Sequence, residues 1–234
     1  MTRTAFSHVE TWVFDLDNTL YPPETALFDQ INIRMTDWVM RVLGLEREAA
    51  DRLRHRYWRD HGTTLAGLMR HHGVDPGPYL EEVHEIDFTV LTADPALGAA
   101  IAALPGRKIV FTNGTRPYAE RVIAHRGLDG LFDAVYGVEH AGLIPKPERA
   151  AFETVFALDG LDPVRGAMFE DDPRNLAVPH VLGMRTVHVA PAAAPAEFIE
   201  HHTADLAAFL GLLGAPTPAL GQPVTSPDGA PGPT

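Results

Sequence analysis

The sequence contains no cysteine, and none of its 234 residues lie in an apolar run long enough for a signal peptide or a membrane span. The absence of cysteine excludes disulfides, zinc–thiolate sites and cysteine nucleophiles, and it is typical of proteins from a reducing compartment. The N-terminal segment MTRTAFSHVE lacks the apolar core of a secretory signal. We therefore expect a soluble, cytoplasmic protein that does not bind a membrane.

Positive charge is also scarce in this chain. Lysine and arginine together number 19 against 31 acidic residues, which gives a formal net charge of -12. A chain this acidic is a poor ligand for nucleic-acid polymers and anionic lipids, so the expected partner is a small anion held by locally concentrated positive charge. Only Lys108 and Lys146 are lysine; Lys108 begins a strand pattern, whereas Lys146 lies between two prolines in LIPKPER.

Short apolar runs alternate with helical patterns along most of the chain. The runs are TWVFD, KIVFT, DAVYGV, GAMFED and RTVHVA, at residues 11–15, 108–112, 133–138, 166–171 and 185–190. This alternation is typical of βαβ units, so we predict an α/β fold with a Rossmann-like parallel sheet core and helices on both faces. Ligands of such sheets bind outside the carboxyl ends of the strands.

The segment between the first two strand patterns has only helical periodicity, with candidate helices at 26–43, 46–60, 63–72 and 77–90. It is too long for an ordinary crossover connection, so we predict an inserted all-helical cap domain. The predicted division is core at residues 1–20, cap at 21–95, core again at 96–213, and a disordered tail rich in proline and glycine at 214–234.

The first strand pattern ends in two carboxylates, Asp15 and Asp17, which leave the same face of an extended backbone. Buried carboxylates this close do not both ionise unless a cation lies between them or one stays protonated. Both outcomes suit phosphoryl chemistry. One carboxylate, bound to a hard divalent ion, can attack phosphorus, while the other, with a raised pKa, can donate a proton to the leaving alkoxide.

A second acidic cluster, in MFEDDPRNL, ends another strand pattern. Glu170 and Asp171 can complete a metal cage with the first pair, while Asp172 before Pro173 reads as a helix N-cap. Magnesium suits an all-oxygen site that must also bind phosphate and water. We therefore expect Mg²⁺ as the cofactor.

Two further polar residues can bind the phosphate itself. Lys146 supplies a compact cation for the phosphoryl charge, and the Thr112 hydroxyl, with a nearby backbone N–H, can hold a phosphate oxygen. Each piece also has a purely structural explanation, because DLDNT and FTNGT can be turns and Lys146 can be a surface lysine. Those explanations leave unexplained why all four polar segments follow strands in this order.

Taken together, these segments resemble the four motifs of the haloacid dehalogenase-like hydrolase superfamily. DLDNT is similar to its first motif, FTNG to the second, a strand ending in Thr or Ser, IPKP to the motif-three lysine, and FEDDPRN to the acidic fourth motif. The resemblance implies that Asp15 is a nucleophile that forms an aspartyl-phosphate and that Asp17 is the general acid and then the base. It also implies that Thr112 and Lys146 hold the phosphoryl group.

The same resemblance implies a set of metal ligands. Mg²⁺ would be bound by the Asp15 carboxylate, the Asp17 backbone carbonyl and Asp171, with Glu170 a direct ligand or a neighbour of the catalytic lysine. Because three acidic residues run in a row, the pair at the metal is either Glu170 with Asp171 or Asp171 with Asp172. The spacing to the following asparagine favours the first pair.

An insertion between the first two motifs is the position of this superfamily's helical type-one cap. TLYPPETALFDQINIRMTDWV, RDHGTTLAGL and FEDDPRNLAVPHVLGM further resemble its pyrimidine 5'-nucleotidase-like branch. In capped enzymes the cap closes over the bound phosphate and reads the leaving group. We therefore predict that Tyr21, Asn32 and Arg34 of the insertion, the segment HGTTLAGL from His61, and Asn113 of the second motif bind substrate.

The resulting hypothesis is a Mg²⁺-dependent phosphatase, a hydrolase of phosphoric monoesters. Its substrate would be a small phosphorylated metabolite, with a pyrimidine nucleoside monophosphate favoured. The alternatives are a sugar phosphomutase of the same fold and a catalytically silent, phosphate-responsive binding module. A 2-haloacid dehalogenase fits less well, because its chemistry does not use the acidic residues assigned here to the metal.

Overall fold

The structure is a computed structural model that describes residues 2–214. Within that range, six strands form one sheet. They are β1 (Thr11–Phe14), β2 (Arg107–Phe111), β3 (Ala134–Tyr136), β4 (Gly166–Glu170), β5 (Arg185–Val189) and β6 (His201–Thr203). Every pairing is parallel and the strand order is β3-β2-β1-β4-β5-β6, so β1 lies between β2 and β4. The predicted parallel sheet is confirmed.

Alternate residues of the central strands enter two separate cores. In β1, Trp12 and Phe14 belong to one core, whereas Val13 belongs to the other. In β4, Phe169 belongs to the core of Trp12 and Phe14, and Met168 belongs to the core of Val13. Because successive side chains of a strand point to opposite faces, the sheet is covered on both sides. This explains why its central strands read as continuous apolar runs in the sequence.

The helices of the described residues are α1 (Thr2–Ala5), α2 (Leu27–Leu43), α3 (Arg47–His61), α4 (Thr64–His72), α5 (Pro76–Val83), α6 (Pro95–Ala102), α7 (Arg116–His125), α8 (Arg149–Asp159), α9 (Ala177–Val181) and α10 (Leu206–Gly214). The apolar side chains of α6, α7 and α10 join the core of Phe14, and those of α8 and α9 join the core of Val13. Helices therefore lie on both faces, as predicted. Within residues 2–214, no helix has both the length and the apolar character that crossing a membrane requires.

The insertion between β1 and β2 is helical, as predicted, and α2 to α5 pack on one another. The close approach of α3 and α4 depends on Gly67, because a Cβ at that position would lie 2.2 Å from the Tyr57 ring. The helix predicted at 77–90 is too long: α5 ends at Val83, and a short 3-10 helix follows at Phe88–Val90. The domain bounds 21–95 stay a prediction.

The last two elements of the described chain, β6 and α10, differ from what the sequence predicted. The strand β6 was not predicted, because its residues HHT form no apolar run. Of the tail predicted at 214–234, Gly214 ends α10 instead, and residues 215–234 lie outside the described residues.

Candidate active site

Asp15 directly follows β1 at the carboxyl edge of the sheet. Its backbone N–H donates to the carbonyl of Phe169 at 2.9 Å, which extends the pairing of β1 with β4 by one residue. The side chain is only 5% exposed. Its Oδ1 accepts a hydrogen bond from Lys146 Nζ at 2.7 Å, and its Oδ2 accepts one from Thr19 Oγ1 at 3.2 Å. The carboxylate is thus buried, oriented and paired with a cation.

Lys146 is the buried cation of the site, with 1% of its surface exposed. Its ammonium donates to Asp15 Oδ1 at 2.7 Å, Glu170 Oε2 at 2.7 Å and the Phe111 carbonyl at 2.9 Å. These three bonds use every donor that a lysine has. Burial alone would lower the pKa of Lys146, but the charges of Asp15 and Glu170 outweigh it and raise that pKa above its ordinary value. The residue therefore stays charged at neutral pH.

The loop after β2 holds the backbone of Lys146 in place. The Asn113 side chain accepts from the Lys146 N–H at 2.8 Å and donates to the Lys146 carbonyl at 3.0 Å. Asn113 thus positions the lysine backbone, and because it also lines the cavity described below, its predicted contact with substrate stays a prediction. The neighbouring Thr112 is buried, lines the cavity described below, and accepts the Gly114 N–H on its hydroxyl at 2.9 Å.

Three carboxylates converge beside the lysine. Asp15, Glu170 and Asp171 each offer an oxygen within 4.8 Å of the others. Burial and the Asp15 charge raise the pKa of Glu170, and burial and the Glu170 charge raise the pKa of Asp171. One ammonium therefore faces three carboxylates, and this excess of negative charge on oxygen ligands alone suits a hard divalent cation.

The third acid of the FEDD run, Asp172, turns away from this cluster. It caps the short helix Pro173–Leu176 by accepting the Arg174 N–H, and it forms an ion pair with the Arg174 guanidinium at 2.6 Å. The cluster therefore uses Glu170 and Asp171. Arg174 in turn lies 3.6 Å from the centre of the Trp58 ring and donates to the Trp58 carbonyl at 3.0 Å. This contact ties the acidic loop to α3 of the cap.

Asp17, two residues beyond Asp15, is held by two tyrosines. Its Oδ1 accepts from the Tyr118 hydroxyl at 2.5 Å and from the Tyr21 hydroxyl at 2.7 Å. Burial and the Asp15 charge raise the pKa of Asp17 to about 6, although both tyrosine hydrogen bonds lower it. Burial also raises the pKa of each tyrosine, so both hydroxyls keep their protons. A carboxyl group that titrates near neutral pH suits proton exchange with a substrate.

Tyr118 and its neighbour His84 are residues of the site that were not predicted from the sequence. Tyr118 lies in the first turn of α7, the helix that follows β2, and Thr115 caps that helix. That position at the carboxyl end of a strand is the signal that could have identified it. The His84 ring, which follows α5 of the cap, stacks on Tyr118 with centroids 4.3 Å apart. Burial lowers the pKa of His84 to about 4, so the stacked ring is neutral at pH 7.

The substrate residues predicted in the insertion fall in different places. Asn32 lines the cavity above Asp15, as do Gly62 to Leu65 of the HGTTLAGL segment. Tyr21 is buried and bonded to Asp17, so it positions that carboxyl group. Arg34 is exposed and does not line the cavity, because residues two apart on a helix point in nearly opposite directions. Arg34 therefore lies outside the cavity, and its contact with substrate stays a prediction.

Replacing Tyr118 with phenylalanine tests its hold on Asp17. The hydrogen bond from Tyr118 lowers the pKa of Asp17, so its loss raises that pKa. We expect the pH–rate inflection of Asp17 to move to higher pH and kcat to fall about 10-fold. Tyr136→Phe is the matched control, since its hydroxyl donates to Asp159 at 2.9 Å instead. An unshifted pH profile in Tyr118→Phe would contradict this assignment.

Comparison with known proteins identifies the class that this fold and site define. Residues 9–180 match the family model of haloacid dehalogenase-like hydrolases. The chain therefore belongs to the haloacid dehalogenase-like hydrolase family. The superfamily predicted from the four motifs is confirmed.

Individual relatives are more distant. Phosphate metabolism protein 8 of Saccharomyces cerevisiae is 26% identical over 197 residues, which are 77% of this chain and 60% of the yeast protein. The chain thus spans less than two thirds of that relative. L-2-haloacid dehalogenase from Xanthobacter autotrophicus has 18% identity, 79% coverage of each chain and a TM-score of 0.51. The HAD-hydrolase YfnB from Bacillus subtilis, described bound to magnesium, has 14% identity, 88% and 98% coverage and a TM-score of 0.55. At these identities the structures support the fold alone.

Proposed function

We propose that this hydrolase is a Mg²⁺-dependent phosphomonoesterase that acts through an aspartyl-phosphate on Asp15. Its favoured substrates are pyrimidine nucleoside 5'-monophosphates or similar small phosphorylated metabolites. The observation that carries the proposal is the arrangement around Asp15: a buried carboxylate paired with Lys146, next to a carboxyl group, Asp17, whose pKa is raised to about 6. A nucleophile beside a group that can give and take a proton is what two-step phosphate ester hydrolysis requires.

In the first step, the Asp15 carboxylate attacks phosphorus. A bond forms between an Asp15 oxygen and the phosphorus atom while the bond from phosphorus to the ester oxygen breaks. Asp17 gives its proton to the departing oxygen, so the alcohol leaves neutral. Lys146 and Thr112 line the cavity together with Asp15, and their charge and hydroxyl oppose the charge on the phosphoryl oxygens.

In the second step, a water molecule releases the phosphate. Asp17, now ionised, takes a proton from the water as its oxygen attacks phosphorus, and the bond between phosphorus and Asp15 breaks. The products are inorganic phosphate and the free Asp15 carboxylate, with Asp17 protonated again. Tyr21 and Tyr118 hold Asp17 in both steps, because each donates to the oxygen that does not carry the proton.

The acidic cluster fits a magnesium ion. Asp15, Glu170 and Asp171 would hold it through carboxylate oxygens, and the resemblance to the family adds the Asp17 carbonyl. When bound, the ion would supply positive charge that offsets the charge of the phosphoryl group. His188 supports the cluster by hydrogen-bonding the Asp171 carbonyl at 2.9 Å.

The similarity to Phosphate metabolism protein 8 supports a phosphate ester as the substrate. A cavity of about 530 Å³ extends from Asp15 into the cap, a volume in the range of small-molecule sites. The cap end of this cavity carries both apolar and polar side chains, so it suits a phosphate ester with an organic group better than inorganic phosphate alone.

A substrate panel tests the proposal. The protein is incubated with uridine, cytidine and adenosine 5'-monophosphates, ribose 5-phosphate, glucose 1-phosphate and 2-chloropropionate, with Mg²⁺ or with EDTA. We expect phosphate release that requires Mg²⁺ and has its highest kcat/KM with a pyrimidine nucleotide. Chloride release without phosphate would indicate a dehalogenase, and conversion of glucose 1-phosphate to its isomer without free phosphate would indicate a mutase. Binding of phosphate without any turnover would indicate a silent module.

A further inference from the structure

The cap end of the cavity contains a buried arginine that the proposed chemistry does not use. Arg54 of α3 is 7% exposed and lines the cavity. Its Nη1 donates to Thr36 Oγ1 at 2.6 Å and its Nη2 donates to Asn32 Oδ1 at 2.7 Å. Its Nε is buried and has no hydrogen-bond partner among residues 2–214. A buried charged donor left without an acceptor is destabilising, so an acceptor from outside the chain is expected.

Arg54 also fixes which way the Asn32 amide faces. A guanidinium only donates, so the Asn32 oxygen must face Arg54 and the Asn32 NH₂ group points elsewhere. Asn32 lines the same cavity. The buried Tyr79, whose hydroxyl has Thr64 as a hydrogen-bond partner, lines this cavity too. The donors of Arg54 and Asn32 therefore favour a hydrogen-bond acceptor on the molecule that binds at the cap end.

Arg54 already has a carboxylate as a neighbour. Asp51 Oδ1 lies 3.5 Å from Arg54 Nη1, and it accepts a hydrogen bond from the Thr36 hydroxyl at 2.5 Å. A second phosphate or a carboxylate on the substrate would gain little from a cation that already has a counter-ion. A neutral acceptor, such as a carbonyl oxygen, fits this donor set better.

Apolar side chains form the remaining walls. The cavity is lined by apolar residues of α2, α4 and α5, namely Phe28, Ile31, Leu65, Leu80 and Val83. Walls of this kind suit a flat ring whose faces are apolar and whose edge carries the acceptor. A polyol would leave its hydroxyl groups against them without partners.

We infer that Arg54 Nε and the Asn32 amide bind a ring carbonyl of the leaving group, and that this contact selects carbonyl-bearing heterocycles such as uracil over sugars and plain aryl groups. The inference deepens the proposed function and rests on it for the catalytic readout. Asn32 and Arg54 are specificity residues here, since they touch the leaving group and not the reacting phosphorus.

Matched substrates and variants test this contact. Kinetics are measured for the wild type, Arg54→Lys, Asn32→Ala and Thr36→Val with uridine 5'-monophosphate, ribose 5-phosphate and phenyl phosphate. Phenyl phosphate keeps a flat ring without a carbonyl, and ribose 5-phosphate lacks the ring. We expect Arg54→Lys and Asn32→Ala to lower kcat/KM for the uridine nucleotide about 10- to 100-fold, chiefly through KM, while phenyl phosphate changes less than about 3-fold.

Thr36→Val is the control for packing, because Thr36 bonds Arg54 but does not line the cavity. A preference for the uridine nucleotide that survives in Thr36→Val supports direct recognition by Arg54. Equal losses with all three substrates in Arg54→Lys would assign the arginine to packing and overturn the inference, while leaving the phosphatase proposal intact.

A binding measurement keeps the test independent of catalysis. Titration calorimetry with uridine, which carries no phosphate, should give binding to the wild type that is at least about 10-fold weaker in Arg54→Lys. Equal uridine affinity in both proteins would overturn the inference whether or not either protein releases phosphate. Uridine binding by a wild type that releases no phosphate from any ester would overturn the proposed function and support the contact.

Discussion

Replacing Asp15 with asparagine is expected to abolish phosphate release and to leave the fold intact. An amide has nearly the shape of a carboxylate but cannot attack phosphorus to form a phosphoenzyme. We expect kcat to fall to background, about 10⁶-fold, as happens when an enzyme that works through a covalent intermediate loses its nucleophile. Phosphate release from the preferred nucleotide measures the effect. Intact-mass spectrometry after acid quenching should detect a phosphoryl group on the wild type and none on the variant.

The same substitution should not cost stability in the absence of metal. Asp15 and Glu170 share the ammonium of Lys146, and burial and the Asp15 charge raise the pKa of both Glu170 and Asp171. Asparagine removes one negative charge, keeps an acceptor for Lys146, and leaves the ion pair of Lys146 with Glu170 in place. Thermal unfolding with EDTA should therefore give a Tm no lower than that of the wild type.

Asp17→Asn is the matched control, an identical change two residues along the chain. It removes the proton donor and keeps the nucleophile, so we expect a loss of about 10²- to 10⁴-fold in kcat. A phosphoryl group should still be found on Asp15. Wild-type phosphate release by Asp15→Asn would remove Asp15 as the nucleophile and with it the proposed mechanism.

The fold was predictable because its signals are local. β1, β2, β4 and β5 lie within one residue of the apolar runs that predicted them, since a strand covered on both faces must be apolar throughout. The helical insertion was predictable for a similar reason, as an amphipathic period repeated over several helices. The strand β6 gave no signal, because three residues at a sheet edge need not be apolar.

The acidic part of the site was predictable from topology. A parallel sheet brings the carboxyl ends of its strands to one edge, so residues that follow β1 and β4 meet there although they are far apart in sequence. Asp15 directly follows β1 and Glu170 ends β4, and Lys146 lies 2.7 Å from each. The charge balance required a buried cation, and the chain offers only two lysines.

The cap side of the site was not predictable in the same way, because it depends on how separate helices pack. Arg34 and Arg54 are both arginines on helices, and only the second faces inward. A signal existed for Arg54: it lies four residues after Ala50 and three before Tyr57, both buried, so it shares their stripe. For Tyr118 the signal was only its place in the first turn of the helix after β2, and no pattern pairs it with Asp17, which lies in the loop after another strand.

Replacing Lys146 with methionine is expected to destroy both activity and stability. Methionine matches the length and apolar stem of lysine but leaves the Asp15 and Glu170 carboxylates buried without their cation. Removing one partner of a buried ion pair typically costs about 3–5 kcal/mol in unfolding free energy. We expect a loss of that size in urea unfolding with EDTA, together with a fall in kcat/KM of at least about 10²-fold.

The chain supplies its own control, because Lys108 is its other lysine. The Lys108 ammonium donates to the carbonyls of Leu104 and Gly106, so Lys108→Met should change the unfolding free energy by less than about 1 kcal/mol. Similar losses in both variants would contradict the role of Lys146 as the charge partner of the cluster.

The stability lost in Lys146→Met should depend on pH and on metal. Burial raises the pKa of Glu170 and Asp171 in the folded protein above their unfolded values, and the charge of Lys146 lowers that of Glu170, so Lys146→Met raises the Glu170 pKa further. Groups shifted in this direction favour folding below the unfolded pKa, and their contribution is lost as pH rises through the folded pKa. The difference in unfolding free energy between Lys146→Met and Lys108→Met should therefore shrink as the pH is lowered from 8 to 5.

Mg²⁺ at pH 8 should also reduce the difference in unfolding free energy between the two variants. An ion that binds only the folded state stabilises that state by mass action, and here it replaces the missing positive charge. A gap that is constant across pH and unmoved by Mg²⁺ would mean that Lys146 contributes packing and not charge.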